Sequence, residues 1–599
     1  MAIRQTTVVE RAGVQSAVRD LVPGVLVLLQ ALPVALLIQL INHSLPDRPE
    51  RAVQVVGVLF AILLALPPAV YLLVRRRAAN PGRLGLIVLA TVGVLLVSVY
   101  LYWVSFYVLF PADILIWSES DFVNDILKFR LGYPIYSAQV NNESFTYVPG
   151  SRLLTYFLAS LSGRATSIPV YRMIQIGYTL LAAVIAAFCC RGLVEMSLSA
   201  RRFRDRALWG AVWLPIFFLM ATNSLTNPFV HNLHDDALAQ LVSVTAYYLL
   251  LKYVSTRDDR VLAAMAVIPG LGFLVKQSLA IWAVLYCAQL ALFDRPRSMK
   301  RLVTFAMIAF GGIGAVIAGC YALWGDNFVY WALTVLGKHG VSPLRSFQHI
   351  LDAWIYFAIG LLGGVVLLRG KSFHLLLGPW LVWLSVFLME AYTSGIAWMR
   401  NQMGPGSLIA GIWFIAALVK LWPSLPLGAI SKFRPQVWLR VGIAVAAVGL
   451  LFSGLGVVRI PMRPFSSDAY RYLREIEREF EGQSADNLLL DAGTWIYLKQ
   501  GVVMKDRAPS IGERGYSETG NFSGMIQRLK QKRYSKILIR NLHAPDFWYD
   551  HRMWRKPSEI KRTLLENYRE IGRIMAVQDG YKQGHYLFSD ISILVPNTN

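Results

Sequence analysis

Glu119, Asp121 and Asp125 fall in one short stretch, ILIWSESDFVNDILKFRLGYPIYSAQVNNESFTYVPG, which covers Ile114–Gly150 and follows a long apolar segment. A carboxylate held within hydrogen-bond reach of a hydroxyl can act as a general base and create a nucleophile. Read as a helix, SESDFVNDILKF puts Asp121 and Asp125 on one face and turns Glu119 elsewhere. The bland alternative is a helix start, with Ser118 or Ser120 as cap and an acid near the positive end of the helix. That accounts for one acid. It leaves the following Gly-Tyr-Pro-Ile-Tyr and Tyr-Val-Pro-Gly turns, which read as a shaped surface, without a purpose.

A second group lies in NPFVHNLHDDALAQLVSVTAYYLLL, where His231, His234, Asp235 and Asp236 precede an apolar run. Imidazole and carboxylate together can bind a divalent cation, Mg or Mn, although the spacing matches no zinc pattern. A solvated loop with a helix-starting aspartate is the competing reading. Lys276, in GLGFLVKQSLAIW, is flanked by apolar residues. Such a lysine is costly at a membrane unless it snorkels or meets an anion, and a lipid phosphate is a natural partner. Arg400, in SGIAWMRNQMGPG, is a second cation of this kind, or an ordinary interfacial anchor, with Glu390 as an available partner. Lys338 and His339 are weaker candidates of the same type.

The elements that must position these groups follow from composition. The chain has 599 residues, of which 55% are hydrophobic and only 16% charged. A soluble chain carries about 25% charged residues, and repeated apolar runs of about 20 residues indicate a polytopic membrane protein. The formal charge of +23 is spread over short basic clusters between the apolar runs, so no nucleic-acid partner is expected. Cys189, Cys190, Cys287 and Cys320 all fall in apolar segments, which argues against a disulfide framework. No cleavable signal peptide is expected, because the first polar stretch leads into a full-length span.

Candidate spans are Val22–Ile41, Val53–Val74, Leu84–Phe110, Ile168–Cys190, Ala207–Ala221, Ala237–Leu251 and Val261–Leu274. They continue with Leu279–Phe293, Leu302–Leu323, Ile350–Leu368, Phe373–Ala391, Ser407–Leu421 and Leu439–Val458, about 13 in all. The two flanking Lys276 are short enough to be tilted, broken or re-entrant. Basic loops such as RRRAANPGR and DRPRSMKR belong on the cytoplasmic side, which puts the N-terminus on that side too. The acidic stretch, the His-Asp group, Lys276, WGDNFVYWALTVLGKHG and MRNQMGPG then share the outer face. After about Arg459 the composition turns polar. DAYRYLREIEREF reads as a helix, NLLLD, KILIR and HYLFSDISILVP as strands, and KPSEIKRTLLENYREI as a helix, together an extracytoplasmic α/β domain. The chain thus divides into residues 1–83 with two added spans, a membrane core at 84–458 whose acidic loop is 111–167, and the polar domain at 459–599.

At SESDF, GYPIY, FTYVPG, HDDALAQLVSVTAYYLLL and GLGFLVKQSLAIW the chain resembles the GT-C superfamily of membrane glycosyltransferases, the group of the protein O-mannosyltransferases and the lipid A aminoarabinose transferase. The resemblance covers Leu84 to Val458 loosely. It implies inverting transfer of a sugar from a polyprenyl-phosphate donor to a hydroxyl on a glycan, lipid or protein, at the extracytoplasmic face of a bacterial inner membrane. Carried over, Glu119 or Asp121 would activate the acceptor, with Glu119 preferred. Asp235 or Asp236 would help bind donor or metal, Lys276 would lie near the lipid phosphate, and Tyr136 and Tyr147 would line the sugar pocket beside Asp125. Here about two extra spans precede the acidic loop, and the acids form no clear DxD motif. Other expectations compatible with these residues are a ligase or polymerase of lipid-linked glycans, and a transporter or flippase; the latter would want charges near the bilayer midplane and repeated halves.

Overall fold

The structure is a computed structural model that describes residues 104, 107–116, 119–198, 216, 220, 223, 225–226, 229–294, 297–369, 373–396, 400–421, 467–491, 493–506, 520–540, 542–543, 559–575 and 590–598. The spans expected at Val22–Ile41, Val53–Val74 and Leu439–Val458 lie outside the described residues, with most of Leu84–Phe110 and Ala207–Ala221 and the placing of the N-terminus.

Helix α1, Glu119–Arg130, and α2, Gly150–Leu161, belong to the acidic loop. The core is built by α3 Ile168–Leu198, α4 Asp236–Thr256, α5 Asp259–Val275, α6 Ile281–Phe293 and α7 Met299–Trp324. It continues with α8 Pro343–Asp352, α9 Trp354–Leu367, α10 Phe373–Ser394 and α11 Gly404–Leu421. Four of these, α3, α4, α7 and α10, are long and apolar enough to cross a membrane, and α8 with α9, bent by 66°, would make a fifth. The chain therefore has the character of a membrane protein. Local sequence sets the helix starts. Ser298 and Ser342 accept from the backbone N–H three residues on, and Asp258 from that of Arg260. WGDNFVYWALTVLGKHG, between the expected spans Leu302–Leu323 and Ile350–Leu368, is helical over Asp326–Phe328 and continues as a π-helix over Val329–Val335.

Helices α5 and α6 are 17 and 13 residues long, and the chain between them breaks at Lys276, which is extended, before a 3-10 turn over Gln277–Ala280. Helices α3 and α4, α5 and α7, and α9 and α11 pack as close pairs. The α9–α11 approach depends on Gly363, where an added Cβ would lie 2.7 Å from the Trp413 carbonyl carbon and 2.8 Å from its oxygen.

The C-terminal domain contains α12 Ser467–Arg478, β1 Leu488–Leu490, α13 Trp495–Gln500, α14 Ser523–Lys530, β2 Lys536–Arg540, α15 Glu559–Asn567, β3 Tyr568–Ile574 and β4 Ile591–Pro596. Its sheet runs β1-β2-β4-β3, with β1 parallel to β2 and β4 antiparallel to both neighbours. The helix expected through Ile571 stops at Asn567, and Tyr568–Ile574 is a strand at the edge of the sheet formed by the described residues. At the switch the Asn567 amide donates back to the Thr563 carbonyl, while the Asn567 carbonyl accepts from Asn597 beyond β4, where the pairing with β4 begins. Helices α13 and α14 were not legible as separate elements.

Candidate functional site

Helix α1 is buried from Glu119 to Lys128, charged residues included. Glu119 is held by Arg172 of α3, with Nε donating to Oε1 at 2.9 Å and Nη2 to Oε2 at 2.5 Å. The remaining guanidinium N–H groups donate to the carbonyls of Tyr107, Phe110 and Ala112, so each of the five donors has an acceptor. Asp125 pairs with Arg152 of α2 at 2.8 Å, and the Arg152 guanidinium lies over the Phe122 ring. Lys128 is buried too, and its ammonium donates to the Ile135 and Glu143 carbonyls and to Ser144 Oγ, closing the loop that follows α1. Asp121, in the first turn with Glu119, is fully buried.

The second group folds onto the first. The Leu233 N–H donates to Glu119 Oε1 at 3.0 Å, and the His234 ring meets the Phe122 ring edge-on at 5.0 Å. Phe229 and Tyr147 complete an aromatic surround for that imidazole. His234 Nδ1 lies 2.7 Å from Asp235 Oδ1 and 2.9 Å from Asp236 Oδ2. Burial alone would lower the imidazole, but the Asp236 and Asp235 carboxylates outweigh it and lift the group to about 9. Lys276 reaches in from the break between α5 and α6, with Nζ 2.8 Å from Asp236 Oδ1 and 3.6 Å from Asp235 Oδ1. Asn401 donates to Asp236 Oδ2 at 2.6 Å. Two carboxylates, an imidazolium and an ammonium thus form a nearly neutral buried centre at the start of α4.

Of the residues singled out in the sequence, Glu119, Tyr147, His234, Asp235, Asp236 and Lys276 come together, and Asp121 and Asp125 lie on the same helix as Glu119. Tyr136 stands behind them, packed edge-on against Trp324 and Phe328, with its hydroxyl donating to the Tyr147 carbonyl. His231 turns away towards Tyr107, and burial pulls its imidazole down to about 3. Arg400 is a third exposed and pairs with Asp352 at 3.4 Å, not with Glu390, whose Oε2 accepts from the Gly406 N–H. Arg172, Asn401 and Lys128 were missed. Arg172 carried a signal, as an arginine just inside an apolar run.

His234, Asp235 and Asp236 offer ligand atoms that all lie within 4.8 Å of one another, and His231 is not among them. Asp235 Oδ2 is buried with no hydrogen-bond donor, and the group fits a divalent cation once His234 gives up its imidazolium proton. The centre can therefore hold an anion through Lys276 or a cation through its acids, beside further carboxylates able to take a proton. No protein-family model matches the chain, and no curated protein matches it.

Proposed function

We propose that the chain is an integral membrane glycosyltransferase that moves a sugar from a polyprenyl-phosphate donor to a hydroxyl acceptor at the outer face of the bilayer. The observation that carries this reading is the convergence of the two acidic segments with Lys276. Glu119 accepts from the Leu233 N–H, Phe122 abuts His234, and Lys276 pairs with Asp236.

The base is assigned to Asp121. Glu119 grips a guanidinium with both oxygens, and taking a proton would break that pair, so the sequence preference for Glu119 gives way. Asp121 sits beside it in the first turn of α1, one residue before Phe122. In the reaction the acceptor hydroxyl passes its proton to Asp121, and its oxygen forms the new bond to the anomeric carbon. The bond from that carbon to the phosphate oxygen breaks, and the electron pair leaves with the polyprenyl phosphate. Attack opposite the leaving group inverts the anomeric centre. Lys276 offers the departing phosphate a charge-assisted hydrogen bond, shared with Asp236. With His234 deprotonated, His234, Asp235 and Asp236 would hold a divalent cation, which when bound supplies further positive charge for the phosphate.

Two further features support the reading. The chain carries helices apolar enough to bury a lipid tail, and the short α5 and α6 bring Lys276 to a break where a headgroup can meet it. The test is to incubate the purified protein with a panel of lipid-phosphate sugars and identify glycosylated products by mass spectrometry. Products from a monosaccharide donor support the assignment. Turnover only of whole lipid-linked glycans points to a ligase, and transport with no covalent product to a flippase.

A further inference from the structure

The acid-bearing helix is held from two sides. One side is the membrane core, through Arg172, Leu233 and His234. The other is the C-terminal domain, whose contacts with the acidic loop are polar, buried and spread along its length. Asn124 makes a reciprocal pair with the backbone of Met504: Met504 N–H donates to Asn124 Oδ1 at 3.0 Å, and Asn124 Nδ2 donates to the Met504 carbonyl at 3.2 Å. Thr494 Oγ1 donates to the Ser120 carbonyl at 2.9 Å. Asp113 accepts from the N–H groups of Thr494 and Trp495 and so caps α13 from outside the domain. Asn142 donates to Asp506 Oδ1 at 2.7 Å, and Asp506 is itself held by Arg528 of α14. Close approach is built in, because a Cβ at Gly493 would lie 2.7 Å from Asp113 Oδ1.

On α1, Ser120 and Asn124 are one turn apart, as are Asp121 and Asp125, so the stripe facing the C-terminal domain is adjacent to the stripe bearing the acids. Three groups of residues 493–506, the Met504 N–H and carbonyl and the Thr494 hydroxyl, therefore set where α1 lies. Apolar packing alone would let the helix slide or rotate by a fraction of an ångström. Reciprocal amide bonds to a fixed backbone are directional and prevent that.

We propose that the C-terminal domain is a structural half of the active centre, and that Asn124, acting through α1, is a positioning residue for the acids it carries. This rests on the glycosyl-transfer reading for its kinetic consequence, though not for the mechanical coupling itself.

The test uses the full-length protein in lipid nanodiscs, comparing Asn124→Ala and Gly493→Ala with the unaltered chain. Hydrogen exchange by mass spectrometry should show faster exchange in 119–130 and 493–506, with α4 unchanged, because the lost bonds are local. With a donor that the unaltered protein uses, kcat should fall roughly 10- to 100-fold, the scale of a small misplacement of reacting groups, while donor KM moves less than about threefold. Asn124→Gln, which keeps the amide, should recover part of the kcat. Unchanged exchange in 119–130 in both variants overturns the coupling, whatever the activity. Altered exchange with unchanged kcat overturns the positioning role. A protein that transfers no sugar from any donor defeats the glycosyl-transfer reading, and the exchange comparison still decides the coupling.

Discussion

Arg172 holds Glu119 with two of its five N–H groups and spends the other three on the carbonyls of Tyr107, Phe110 and Ala112, all without solvent exposure. The pair ties α1 to the first turns of α3 and to the segment that enters the acidic loop. Glu119 is thereby a strut between α1 and α3.

Removing one partner of a buried ion pair strands the other charge. Glu119→Ala and Arg172→Ala should each destabilise the protein by about 3–5 kcal/mol, and the double variant by less than the sum. Thermal unfolding in detergent checks this. Additive losses would show that the two side chains do not depend on each other.

Lys276 is expected to act on the donor. Lys276→Met should weaken donor binding by roughly 10- to 100-fold, the value of a charge-assisted hydrogen bond, and Lys276→Arg should retain part of it. Titration with a short-chain polyprenyl phosphate, followed by intrinsic fluorescence, measures this directly. Equal affinity in Lys276→Met and the unaltered protein would remove the lysine from the donor site.

Asp113 makes stability depend on pH. Burial and the neighbouring Glu119 charge push its carboxyl up to about 6, against the N–H groups of Thr494 and Trp495, which favour the ionised form. The folded state therefore binds this proton more tightly than the unfolded chain. The Asp113 contribution grows as pH falls from 6 towards 4 and is constant above 6, a span of roughly 3 kcal/mol. The unaltered protein should gain stability over that range relative to Asp113→Asn. A difference curve that is flat, or of opposite slope, contradicts the burial of an ionisable Asp113.

Gly363 tests the core. Its absent side chain lets α9 lie against the backbone of α11 at Trp413, and α11 follows directly on the turn that carries Asn401. Gly363→Val should force the helices apart and lower stability by about 1–3 kcal/mol or more, as overpacking does. An unchanged melting temperature would mean the helices do not meet there.

Much of this was legible in the residues. Helix α1 followed from SESDFVNDILKF, α4 from the apolar run after HDD, and the broken pair around Lys276 from two short apolar segments. The meeting of HNLHDD with the acidic loop was expected from sidedness. What escaped were the partners. Nothing local in PVYRMIQ names Glu119 as the mate of Arg172, since ion pairs between distant segments are settled by packing and not by spacing. Asn124 and Asn401 looked like ordinary polar residues until the surfaces they bond were in place. In the C-terminal domain, ENYREI carries a helical stripe, but β4 offered Tyr568–Ile574 a ladder on one side, interrupted by a bulge between Glu570 and Gly572, and tertiary pairing overrode local pattern.

Asp121 bears the central chemical claim. With the best lipid-phosphate sugar donor in hand, turnover of Asp121→Asn and of the unaltered protein should be compared by mass spectrometry of the product, with unfolding temperatures matched. The expected result is a loss of about 100-fold or more in kcat, the range for removing a general base, with donor binding retained. Product formation by Asp121→Asn at the unaltered rate would contradict the assignment.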